Sequence, residues 1–350
     1  MDRNLEAHTM KTGMLTILGA GALSLAATSC WAQVYNLTLD RPSQDRWMYP
    51  FNFSAGQETR ASLFGAVLID GFDDRDSTFI VSWDTGTVVP PGQGATKYRI
   101  VSARTKITVQ STTTATTYYD PSAESVRTLY PTNDPEYTPD LDPGKPLEVF
   151  GAGFRNGESA ASFTEAVAFG CPGPSFNACR SVFPAVYDAN GVASDVTNQV
   201  RGRFEAAAWG VGQTDALAPG EPMVVDTEFT FDLDLCGTGV RPYLQAALNS
   251  GKVILVYSAL APASQSGGGD YARFYTDENP QGPAFGRAAK LELVVRVYEG
   301  ADFNGDQQVD FFDYLDFAQA FASETPDADF NSDCQVDFFD YLDFAAEFSR

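Results

Sequence analysis

Six oxygen-bearing side chains recur twice near the end of the chain, at a spacing that can wrap a cation. Asp302, Asn304, Asp306, Gln308, Asp310 and Asp313 stand at positions 1, 3, 5, 7, 9 and 12 of a twelve-residue run. Asp329, Asn331, Asp333, Gln335, Asp337 and Asp340 repeat that pattern. The stretches "DFNGDQQVDFFDYLDFAQAF" and "DFNSDCQVDFFDYLDFAAEF" agree at sixteen of twenty positions, at a period of 27. Calcium takes six to eight oxygens at about 2.3–2.6 Å, and this spacing turns a short chain around one ion. Position 7 offers its backbone carbonyl, and position 12 a carboxylate from the first turn of a following helix. Two copies in register therefore predict two bound Ca2+ ions. The competing reading is a pair of acidic amphipathic helices without metal.

The elements that must hold these ligands are loop and helix. In "DFFDYLDFAQAF", Asp310, Asp313, Asp316 and Gln319 form a polar stripe at three-residue spacing. Phe311, Phe312, Tyr314, Leu315, Phe317 and Phe321 cover most of the remaining circumference. That is more apolar surface than two small helices can hide in each other, so part of it packs on the rest of the chain or awaits a partner. An ordinary EF-hand has a helix before its loop and glutamate at position 12. Here "KLELVVRVYEG" runs almost straight into the first loop, "SETPDA" precedes the second, and position 12 is aspartate in both.

A duplicated loop-then-helix unit with Asp at position 12 resembles a type I dockerin, over about 50 residues. The resemblance implies attachment to a cohesin-like or other surface protein, with contact through positions 10 and 11 of each repeat. Those positions are Phe311, Phe312, Phe338 and Phe339, which could equally be core of the small module. One departure concerns the glycine expected at position 6, which is Gln307 in one copy and Cys334 in the other. A side chain there strains the turn and puts calcium affinity in question.

Ahead of this module the text is that of a β protein. "ASLFGAVLIDG", "STFIVSWDTG", "TKYRIVSARTKITVQS", "EPMVVDTEFTFDL", "KVILVYSAL" and "AKLELVVRVYE" are rich in β-branched and aromatic residues and are parted by Gly, Pro, Asp and Asn. One good helix is expected, "GVRPYLQAALNSG". Many strands and one helix predict a mostly β, antiparallel sandwich, jelly-roll-like, over residues 33–299, followed by the helical calcium module over 300–350. "YPTNDPEYTPDLDPGKP" and "APASQSGGGDYARFYTDENPQGP" read as long surface loops. Cys171 and Cys179, in "FGCPGPSFNACRSVF", read as a short-loop disulfide, while Cys236 and Cys334 have no partner that sequence can assign. "RDSTFIVSWDTGTVVPPGQGATKYRIVSARTKITV" and, far downstream, "YARFYTDENPQGPAFGRAAKLELVVRV" look like the opening and closing strands of DNRLRE-type jelly-roll modules. That weaker resemblance implies a noncatalytic, polysaccharide-associated sandwich.

The stretch "MKTGMLTILGAGALSLAATSCWAQ", from Met10, has a lysine, an apolar run and small residues before Gln33. It predicts a secretory signal over residues 1–32 and a secreted or cell-surface protein. No later segment reads as a membrane span. His8 is the single histidine, so cleavage would leave no histidine for triad chemistry or for histidine-ligated zinc or iron. The formal net charge of −23 argues against nucleic acid as a partner. Thirteen acids and one base lie between Asp302 and Arg350. These features predict an exported, noncatalytic sandwich with a calcium-dependent attachment module. The alternative is a polysaccharide-active hydrolase or lyase using carboxylates, though no local motif names a catalytic pair.

Overall fold

The computed structural model describes residues 33–112, 117–173, 175–263, 269, 271–298, 300–306 and 308–350. The expected signal segment and Gln307 lie outside them. Thirteen strands occur among the described residues: β1 (Gln33–Leu39), β2 (Gln44–Met48), β3 (Arg60–Ser62), β4 (Thr78–Asp84), β5 (Tyr98–Thr112), β6 (Glu148–Phe154), β7 (Val182–Tyr187), β8 (Ala193–Asp195), β9 (Gly210–Val211), β10 (Glu228–Asp232), β11 (Lys252–Ser258), β12 (Ala272–Tyr275) and β13 (Lys290–Val297). Five α-helices accompany them: α1 (Gln199–Gly202), α2 (Val240–Ser250), α3 (Gln281–Ala284), α4 (Phe311–Ala322) and α5 (Phe338–Phe348).

The strands form two antiparallel sheets. One runs β1-β13-β5-β12-β3 with β10 also on β5, and the other β2-β4-β11-β6-β7-β8 with β9 on β6. One apolar core joins them. Ile107 and Val109 of β5, Phe229 and Phe231 of β10 and Leu291 and Leu293 of β13 meet Phe79, Val81 and Trp83 of β4 and Leu255 and Tyr257 of β11. The rings of Phe231 and Tyr257 lie 5.2 Å apart across that gap. The expected sandwich is present.

β4 is buried along six of its seven residues because its second face is covered too. Ile80 packs with Ile254, Val256, Phe163 and Val167 in a separate cluster, so both faces of the strand are buried. β6 is different. Its sequence, EVFGAGF, carries two glycines that weaken a strand signal. A Cβ on Gly151 would sit 2.3 Å from the Trp209 ring, and one on Gly153 2.2 Å from the Phe183 ring. The glycines are required because aromatic rings occupy the space their side chains would take.

Two expectations need correction. "ASLFGAVLIDG" contributes only its first residues to β3, since the chain then turns at Leu68, whose φ is 59°. The downstream stretch expected to be a long loop contains β12, which pairs with β5 and with β3 and sends the fully buried Phe274 into the core. Its Gly/Ser-rich flank hid a strand of four residues. The region around "YPTNDPEYTPDLDPGKP" holds no strand, as five prolines demand.

Candidate metal centre

Each repeat folds from its own aspartates. Asp310 caps α4, accepting the Phe312 amide at 2.8 Å, while Asp313 accepts the amides of Asn304 and Asp310 at 3.0 and 2.8 Å. Asn304 Oδ1 accepts the Asp306 amide, and Asp306 Oδ1 the Gln308 amide, each at 2.9 Å. The second repeat reproduces this wiring bond for bond. Asp337 caps α5 through the Phe339 amide, Asp340 accepts from Asn331 and Asp337, Asn331 from Asp333, and Asp333 from Gln335. Both helices begin with a reciprocal capping box, and acids at a helix N-terminus also suit its dipole.

The first loop gathers carboxylates at a spacing that suits a cation. Asp302, Asp306 and Asp313 each place one carboxylate oxygen within 4.8 Å of the other two. One ion with bonds of about 2.3–2.6 Å can span such a trio. Asp310 and Asp337, also expected as ligands, each use Oδ1 in the helix cap. Gln308 and Gln335 are exposed, with side chains that the wiring does not use.

The second loop is built differently at two points. Cys334 is bonded to Cys236, which precedes α2 in the sandwich, with Cα atoms 5.7 Å apart. Its φ of 66° lies in the left-handed region, which costs a non-glycine residue roughly 1–2 kcal/mol. Asp329, at position 1, has Oδ2 paired with Arg241 at 3.0 Å and accepts the Cys334 amide at 3.1 Å. Its Oδ1 is buried and has no hydrogen-bond partner. Among the described residues Asp329, Asp333 and Asp340 do not close into a trio like that of the first loop. The carboxylate geometry suits a cation in the first loop, whereas in the second Asp329 is shared with a guanidinium.

That contact yields a prediction. Replacing Arg241 by glutamine should tighten calcium binding at the second loop by about tenfold, as a positive charge within a few ångströms is removed. The first loop should be unaffected. Calorimetric titration of the full chain should therefore show two unequal steps that converge in the variant, and equal affinities in the parent protein would contradict this account.

α2 sets the geometry of the junction. It starts at Gly239 (φ 77°), where a Cβ would stand 2.2 Å from the Tyr187 carbonyl oxygen, and its first turn carries Arg241. Val240, Leu244 and Leu248 bury its other face in the sandwich. Arg99 donates to the carbonyls of Pro326 and Asp329 at 2.7 and 2.6 Å, and Arg296 pairs with Asp327 at 2.7 Å. Three sandwich arginines thus meet the segment leading into the second loop. Sequence reasoning missed all three, although thirteen acids against one base in the module signalled that cations must come from elsewhere.

The paired helices have a core of their own. Phe317 and Phe344 are fully buried and stack with ring centroids 4.0 Å apart, surrounded by Ala301, Phe303, Ala328 and Phe330. The residues at positions 10 and 11 are outside it. Phe311, Phe312 and Phe339 are each 64 % exposed and Phe338 62 %, beside the half-exposed Leu315 and Leu342. The expected Cys171–Cys179 disulfide is present.

No helix among the described residues is long and apolar enough to cross a membrane. No protein-family model matches the chain, and no curated protein matches it.

Proposed function

We propose that this protein is exported and noncatalytic, a β-sandwich that is fixed to a surface or extracellular partner through a calcium-dependent, dockerin-like module of two ions. The observation that carries this reading is the coincidence, in both repeats, of a ligand loop with an exposed phenylalanine pair just beyond it. Small soluble modules rarely leave four phenylalanines in water without use. The tight, shared Phe317–Phe344 core removes the need to spend those rings on folding. A role near polysaccharide is consistent with the sandwich and with the Pro-rich, acidic surface loop over residues 130–146.

Changing Phe311 and Phe312 together to serine should weaken attachment modestly, since the second pair can substitute. Changing all four should abolish it. Exposed substitutions of this kind shift stability by about 0.5 kcal/mol or less each, so helix content and calcium stoichiometry should be kept. The measurement is retention on surface-protein extract of the source cells, with calcium and with chelator. Full retention by the fourfold variant would end the docking reading, and so would calcium-independent retention of the parent protein.

A further inference from the structure

A second carboxylate cluster lies outside the repeats, on the sandwich. Asp120, Glu124 and Asp142 each place one oxygen within 4.8 Å of the other two. Asp120 is 3 % exposed. Its Oδ1 accepts the amide and hydroxyl of Ser122 at 2.8 and 2.7 Å, whereas Oδ2 is buried without any hydrogen-bond partner. A buried carboxylate oxygen left in this state costs about 1–3 kcal/mol or more unless a cation satisfies it. Asp140 adds a fourth acid, its Oδ1 accepting the Asp142 amide at 3.2 Å.

Lys145 is the counter-charge of the group. It pairs with Glu124 at 3.0 Å and closely with Asp140. One ammonium against four carboxylates leaves the cluster strongly negative. The backbone holds the acids together. Gly144, at φ 110°, lies so close that a Cβ would stand 2.9 Å from the Tyr118 carbonyl oxygen and 3.1 Å from Asp120 Cβ. Only glycine permits that approach, and it folds the strand-free segment carrying Asp140 and Asp142 back onto Asp120.

We propose that Asp120, Glu124 and Asp142 form a third divalent-cation site, independent of the C-terminal repeats and suited to calcium. The donors are all oxygen, which favours a hard ion, and the exposed Asp142 leaves room for water in the remaining positions. The ion would staple the Pro-rich segment to the sandwich beside a cavity of about 330 Å³ lined by Asp140, Gly144, Lys145 and Met223.

The test counts calcium ions on the full chain by calorimetric titration with calcium chloride. With the two repeats disabled by Asp302→Asn, Asp313→Asn, Asp329→Asn and Asp340→Asn, about one ion per chain should remain. Adding Asp120→Asn should then weaken it more than about tenfold, while Lys145→Met should tighten it by about tenfold. Because the fourfold variant can lose its C-terminal fold, the count is repeated with Asp120→Asn alone in the otherwise unaltered chain, where one ion fewer is expected. A repeat-disabled chain that takes no calcium while remaining folded as a sandwich overturns the site, as does an ion count that Asp120→Asn leaves unchanged. Failure of the repeats to bind calcium would leave the single-ion result intact, so the two readings fail separately.

Discussion

Replacing Asp313 and Asp340 together by alanine is expected to melt α4 and α5 while leaving the sandwich folded. Each aspartate is fully buried and accepts two backbone amides, one from its loop and one from its helix cap. Hydrogen bonds to a charged acceptor contribute about 1.5–3 kcal/mol each. Losing two per site should cost about 3–6 kcal/mol at each. A core centred on Phe317 and Phe344 cannot offset twice that amount, at about 1.5–3 kcal/mol for each buried ring. Under the calcium reading the same side chains also supply a ligand, so chelation of the parent protein should reproduce a milder form of the effect. Circular dichroism and amide exchange over residues 300–350 measure it. Helices as protected as in the parent protein would show that the loops do not depend on these acids. Asp313→Asn with Asp340→Asn should retain much of the helix and lose most of the calcium.

The largest expected effect within the sandwich comes from Asp73 and Arg180. Both are completely buried and pair at 2.9 Å. Asp73 also accepts the Ala178 amide and the Asn198 side chain, and Arg180 donates to Thr78 and to the Asp76 carbonyl. Removing one member strands the other charge in a dry site, which typically costs about 3–5 kcal/mol. Arg180→Ala should therefore lower the unfolding midpoint by roughly 10 °C. Replacing both residues by apolar groups of similar volume should recover most of that loss. An Arg180→Ala variant as stable as the parent in chemical denaturation would mean that water or a neighbouring cation compensates the Asp73 carboxylate.

These two cases mark what could be read from the sequence. The repeats were legible because one ion imposes one spacing, and because a capping box such as Asp310-to-Asp313 is local chemistry written in neighbouring residues. β4, β5, β10, β11, β13 and α2 were legible for the same reason, through β-branched runs or through Pro242 and Gly251 at the helix ends. "GFDDRDS" reads as a polar turn, yet Asp73, Asp74, Arg75 and Asp76 are all fully buried. Their partners Arg180, Arg201 and Glu148 are scattered along the chain. No local pattern marks such a network. Arg241 escaped notice and Cys236 could not be paired for the same reason, since they lie 88 and 98 residues from the loop residues they meet. β6 was hidden by glycines whose reason is a ring contributed from elsewhere.

The Cys236–Cys334 bond alters how the protein would bear tension. Without it, a pull on α4 or α5 would travel along the backbone through Gly300 into β13 and load that strand from its end. β13 is paired with β1 from Leu291 to Val297 on one side and with β5 on the other, with a register shift at Val294/Val295, so such a load would unzip it from its end. With the bond in place, residues 236 to 334 form a closed covalent ring. Force entering at the second loop is handed directly to the chain beside α2, whose apolar face is anchored in the core. The strand nearest the module is relieved of the load, and the sandwich is pulled at a packed helix instead of at the end of a sheet.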